Sequence, residues 1–93
     1  DLGLVAEIEH QMAMSCFKRL MSEYEASGML DNQDVELALK HFENSLQTYQ
    51  RMDQIGTLNY LQESHRETVR KGRKLLLETV EQLRNLQVQN QDE

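Results

Sequence analysis

A chain of 93 residues makes one domain at most. At this size folding buries roughly 60–65% of the surface that the unfolded chain exposes, enough for one modest core and too little for a deep active-site cavity. Sixteen acidic residues against ten basic ones give a net charge of −6, which disfavours a nucleic-acid partner. A single cysteine excludes an intrachain disulfide framework and fits a reducing, cytoplasmic setting. No apolar run approaches the roughly 20 residues that cross a bilayer, so membrane insertion is not expected. Proline is absent and Glu, Gln, Leu, Lys and Arg are common, the usage of a protein built from long helices. The chain opens on Asp1 without a leader-like stretch and reads as a segment excised from a longer protein.

The first helix is predicted over residues 4–26. Val5, Ile8, Met12, Cys16, Leu20 and Tyr24 recur at steps of three and four and so share one face, widened by Phe17 and Met21. Ser27-Gly28 ends it, since glycine takes the left-handed conformation that closes many helices. Asp31 is the predicted N-cap of a second helix over 32–52, with Asp34 three residues on as in a capping box. Val35, Leu39, Phe42, Leu46, Tyr49 and Met52 form its stripe, and Ala38 and Ser45 add a strip of small residues.

A short break at Asp53-Gln54-Ile55-Gly56 leads into a third helix predicted over 57–87. Its stripe is Leu58, Leu61, His65, Val69, Gly72, Leu76, Val80 and Leu83. Positions 58, 69 and 80 repeat every eleven residues, which favours a nearly straight helix over a heptad coil. Gly72 either admits close approach of a neighbour or is a weak helix position that costs about 1 kcal/mol relative to alanine. Residues 88–93 are polar and acidic and are expected to fray. The expected architecture is all-α: an antiparallel three-helix bundle forming a single domain over 1–93.

Phe17, Leu20 and Tyr24, followed by Ala38, Phe42 and Ser45, match the aromatic-x2-Leu-x3-Tyr and Ala-x3-Phe-x2-small spacings of a tetratricopeptide repeat. The segment from Phe17 to Ser45 thus resembles a single degenerate repeat of that kind. The same hairpin followed by a long third helix also looks like a microtubule-interacting-and-transport domain. Both resemblances imply protein binding: the second family holds short tails of partner proteins in grooves between helices.

Half of the basic residues (Arg66, Arg70, Lys71, Arg73 and Lys74) lie in one run beside a single acid, Glu67. Arg66, Arg70, Arg73 and Lys74 fall together on the helical wheel as a solvent-facing strip. Three readings compete: a solvated face paired with acids of neighbouring helices, a site for an acidic protein partner, or a contact to phosphate backbone. Interleaved aromatics, which single-stranded nucleic acid uses for stacking, are missing. The run His10-Gln11-Met12-Ala13-Met14-Ser15-Cys16 holds soft ligands, but Met12 and Cys16 share one helix face and His10 and Met14 another, so no metal is expected. His65 is expected at the core or its boundary, and His41 exposed. Cys16 sits on an apolar stripe that would bury it, which suits packing better than nucleophilic chemistry. No cofactor loop or catalytic set is evident, and the chain is not expected to be an enzyme.

The expected function is a non-catalytic protein–protein interaction module, an adaptor or chaperone-like domain that takes an acidic or amphipathic helical segment of a partner. Arg66, Arg70, Arg73 and Lys74 would meet its acids, and Phe17, Met21 and Leu77 would supply apolar anchors. The alternatives are a homo-oligomerisation domain, a homodimer in the simplest case, and a small regulator touching nucleic acid through the basic strip.

Overall fold

The computed structural model describes residues 1–91, and among them every regular element is helical: α1 (Leu2–Ser27), α2 (Asn32–Gln54) and α3 (Tyr60–Gln91). Each helix start has a cap. The Asp1 carboxylate accepts from the Gly3 amide and the Asp31 carboxylate from the Gln33 amide, each at 2.9 Å. Asp34 does not complete a capping box. Its Oδ1 accepts from Arg19 of α1 at 3.1 Å. Gly28, at φ 71°, closes α1 as expected, with its amide donating to the Tyr24 carbonyl.

The third helix starts later than the spacing predicted. Asn59 caps it, accepting from the Gln62 amide at 2.8 Å, while the Gln62 side chain accepts in return from the Asn59 amide at 3.0 Å. This reciprocal pair satisfies two end amides, so helical geometry begins at Tyr60 rather than at Thr57. Leu58 packs on the core from the connection instead of from the helix. The helix continues to Gln91, through much of the segment expected to fray; Asp92 and Glu93 lie outside the described residues.

Packing follows steps that alternate between three and four on all three helices, the spacing of side chains that interdigitate between nearly aligned helices. On α2 the fully buried row is Val35, Ala38, Phe42, Ser45, Tyr49 and Met52. On α1 the inward row is Leu2, Ala6, Glu9, Ala13, Cys16 and Leu20, and on α3 it is Gln62, Arg66, Val69, Arg73, Leu76, Val80, Leu83 and Gln87. All three positions of the eleven-residue repeat reach the core, Val69 and Val80 from the α3 seam and Leu58 from the connection before it, but the seam itself runs on steps of three and four. Half of that seam is polar, and an apolar pattern alone cannot reveal it.

The first half of α1 is rotated relative to its expected stripe. Ala6 and Ala13 are fully buried, whereas Val5, Ile8 and Met12 are 46, 47 and 43% exposed. The cause is the closeness of α1 to α2: the Ser45 hydroxyl donates to the Ala6 carbonyl at 2.7 Å in a buried site. Only small side chains fit between backbones this near, so the larger aliphatics turn outward. Phe42 sits at the centre of the molecule, fully buried, with its ring 6.2 Å from the His10 ring of α1. A methyl group added at Gly72 of α3 would stand only 2.8 Å from the Phe42 ring, so the glycine admits that ring.

Contacts link α1 firmly to α2, α3 less extensively to α2, and α1 to α3 hardly at all. The result is a rod of 55 × 18 × 17 Å.

Candidate partner-binding surfaces

The basic run of α3 lies beside α2 and is largely neutralised by neighbouring acids. The Arg66 guanidinium, with its side chain only 13% exposed, bridges Asp53 of α2 at 3.3 Å and Glu63 at 3.4 Å. Arg73 reaches Glu43 of α2 at 3.2 Å, Arg70 pairs with Glu67, and Lys74 stands 3.9 Å from Glu78. Arg66 and Arg73 thus occupy the α2/α3 seam, laying their stems along α2, instead of forming part of a wholly solvent-facing strip. Arg70 and Lys74 do face solvent. With Leu46, Gln47 and Gln50 of α2, the three arginines border an open groove of about 630 Å³.

The expected apolar anchors divide between two sides of α3. Phe17 and Met21 are half-buried on α1. Phe17 borders a hollow of about 420 Å³ between α1 and α3, together with Met14, Ser15, Lys18 and Leu75. Leu77 is exposed on the opposite flank of α3, beside Val35 and Leu39 of α2. Arginines and anchors therefore form no single patch: Leu77 shares the α2/α3 side with the arginines, and Phe17 lines the α1/α3 side.

The histidines also differ from expectation. His65 is exposed, because the inward row of α3 passes through Gln62, Arg66 and Val69. His41 is mostly covered, its Nδ1 lying 2.6 Å from a Glu9 carboxylate oxygen of α1. His10 packs beside Phe42 with a buried Nε2 that has no hydrogen-bond partner. Burial lowers its pKa below the usual 6.5; the nearby charge of His65 lowers it further and Glu7 opposes the shift.

At the α1–α2 turn, Glu23, Asp31 and Asp34 bring carboxylate oxygens within 4.8 Å of one another, a juxtaposition not foreseen from the sequence. Its members come from either side of a glycine-terminated turn, so no local spacing marks it. Hydrogen bonding to Asp34 raises the Glu23 pKa above 4.5, assisted by desolvation and the Asp34 charge and opposed by Arg19. Oxygen donors of this kind suit a hard cation, but Arg19 already occupies Asp34. Cys16 is a free thiol buried in the core. Among the described residues, no helix is long and apolar enough to cross a membrane. No protein-family model, curated protein or solved structure matches this chain.

Proposed function

We propose that the chain is a non-catalytic protein–protein interaction module, an antiparallel three-helix bundle that holds an acidic or amphipathic helical segment of a partner protein beside α3. Antiparallel neighbours are supported by the pairs Arg19–Asp34 and Ser45–Ala6 between α1 and α2, and Arg66–Asp53 and Arg84–Asn32 between α2 and α3. The observation that carries the function is the weak contact of α3 with α1, which leaves the hollow around Phe17 and Leu75 open. Grooves between helices, apolar in the middle and charged at the rim, suit an incoming helix. This reading agrees with what the resemblances to a tetratricopeptide repeat and to a microtubule-interacting-and-transport domain imply. The single buried thiol supports a cytoplasmic setting.

The test is a pull-down with the folded domain, followed by titration of the recovered partner's segment in a calorimeter. Stoichiometric, saturable binding is expected. A folded domain that gives no such complex overturns the reading. The variant carrying Arg70→Glu and Lys74→Glu should keep its helical circular dichroism and melting midpoint, because exposed ion pairs contribute about 0–1 kcal/mol each. If the α2/α3 groove holds the partner, the same variant should also weaken capture.

Homo-oligomerisation is the second reading, favoured by the half-exposed row Val5, Ile8 and Met12 and by exposed Leu61, Leu75 and Leu86. Sedimentation velocity separates it from the first. A nucleic-acid role has less support, because each cation of the strip already meets a carboxylate. Salt-dependent retention on a nucleic-acid column would revive it.

A further inference from the structure

The geometry points to the α1/α3 hollow, rather than the arginine seam between α2 and α3, as the docking surface. We propose that its occupant is an amphipathic helix of a partner protein, with an apolar stripe and flanking carboxylates that meet Lys18 and Lys71. This proposal rests on the protein-binding reading above and names the surface and the partner chemistry for it.

The hollow has an apolar wall on each side. On α1, Met14 and Phe17 border it, and Met21 continues the same helix flank one turn beyond. On α3, Leu75 faces them and is 57% exposed. The neighbouring positions on α3 that could fill the gap are small or polar: Thr68, Gly72 and Thr79. Gly72 is already taken by the Phe42 ring from beneath, which leaves no side chain there to reach α1. The two helices approach elsewhere, where the Gln62 side chain covers Gly3. Two long helices with adjacent apolar flanks and open space between them fit a third helix, whose residues at i, i+3 or i+4, and i+7 fill the groove.

Charge selects the kind of helix. Lys18 borders the hollow, and Lys71 stands one helical turn before Leu75 on the outer edge. Both are exposed, and among the described residues neither enters an ion pair. The strip cations Arg66, Arg70, Arg73 and Lys74 differ, since each is already bound to an acid of this chain. A newcomer's carboxylates therefore find free cations at the α1/α3 rim. Glu7 and Glu25 on α1 lie further toward the ends and would repel acids placed there, which confines the acidic pair to the middle of the groove.

The experiment titrates the full chain with two synthetic helical peptides of about 18 residues, roughly 27 Å of helix. Both carry the same leucine stripe; one bears glutamates beside its centre and the other lysines. Fluorescence anisotropy should show the glutamate peptide binding about tenfold more tightly, the scale of two favourable rim pairs. Reversing Lys18→Glu and Lys71→Glu together should invert that preference. Leu75→Glu and, independently, Met14→Glu should each abolish binding of both peptides. Both residues are exposed, so circular dichroism should remain that of the parent. The Arg70→Glu, Lys74→Glu variant should bind as the parent does.

Binding lost on Arg70→Glu, Lys74→Glu but kept on Leu75→Glu would overturn the choice of groove while leaving the protein-binding reading intact. Equal binding of the two peptides, unmoved by the lysine reversals, would overturn the acidic occupant. Failure of both peptides to bind would overturn the proposal, and sedimentation as a dimer that Leu75→Glu dissociates would assign the hollow to a second copy of this chain. The pull-down with the folded domain tests the broader reading independently of these peptides.

Discussion

Phe42 joins the three helices at one point, with the His10 ring on one side and the missing side chain of Gly72 on the other. Phe42→Ala should therefore cost about 3–5 kcal/mol in chemical denaturation, a large fraction of what a small domain has. Gly72→Ala should gain about 1 kcal/mol of helix propensity yet lose about 1–3 kcal/mol to overpacking against a fully buried ring, for a net loss. An alanine variant more stable than the parent would mean that the ring swings aside freely. His10 beside the same ring supplies a pH dependence. Its folded-state pKa lies below 6.5, so the unfolded chain takes up this proton first as pH falls. The contribution of a neutral His10 is thus fully present above the ordinary histidine pKa and is lost as pH falls through the folded one. Glu23, whose hydrogen bond to Asp34 raises its pKa, works in the opposite sense. His10→Gln should flatten the slope of melting midpoint between about pH 7 and pH 5; an unchanged slope would mean that His10 does not carry it.

At the scale of the helix, α2 was almost fully readable because its entire inward row is apolar or small and its cap lies in sequence beside it. α1 was readable in its second half, where Cys16 and Leu20 fall on both the expected and the observed faces. Its first half was not, since the pairing of Ala6 and Ala13 with Ser45 rewards smallness over hydrophobicity. The start of α3 carried a visible signal in Asn59 and Gln62, the residue types and spacing of a capping box, which the preceding Thr57 obscured. Of the residues that border the α1/α3 hollow, the sequence singled out Phe17 alone as an anchor, and it did not reveal the surfaces. Helical periodicity reports which residues share a face, and it is silent on which neighbour that face meets. Arg66 illustrates the point: a charge within the inward row, with Nε buried and unpartnered. Its partners Asp53 and Glu63 are largely exposed, so the pair gains less than burial costs it. Arg66→Met should leave stability within about 1 kcal/mol of the parent, because the stem packing is retained. A loss above about 3 kcal/mol in urea unfolding would instead mark the ion pairs as a main attachment of α3.

The molecule as a whole is a tightly packed helix pair with a third helix laid along it. α1 and α2 share a close, small-residue seam with a buried hydroxyl–carbonyl bond. α3 is held by Val69, Leu76 and Val80 in its middle, while toward its ends Arg66, Arg84 and Gln87 make polar contacts to Asp53, Asn32 and the Gly28 carbonyl. Such contacts exchange readily for water, so they oppose separation less than apolar burial does. Opening of α3 from the α1/α2 pair should therefore be the cheapest large motion of the fold, exposing chiefly Phe42 and the central valines and leucine. Native-state hydrogen exchange tests this directly. Amides at the centre of α3, around Val69 to Val80, should exchange through an opening of lower free energy than those of α2 around Ala38 to Tyr49. A bound partner helix bridging α1 and α3 should remove most of that difference, since it would tie the third helix to both others. If the two sets instead open at one common free energy, with the same denaturant dependence, then α3 is an integral part of a single cooperative unit. Partner binding would then have to use the grooves of a rigid rod.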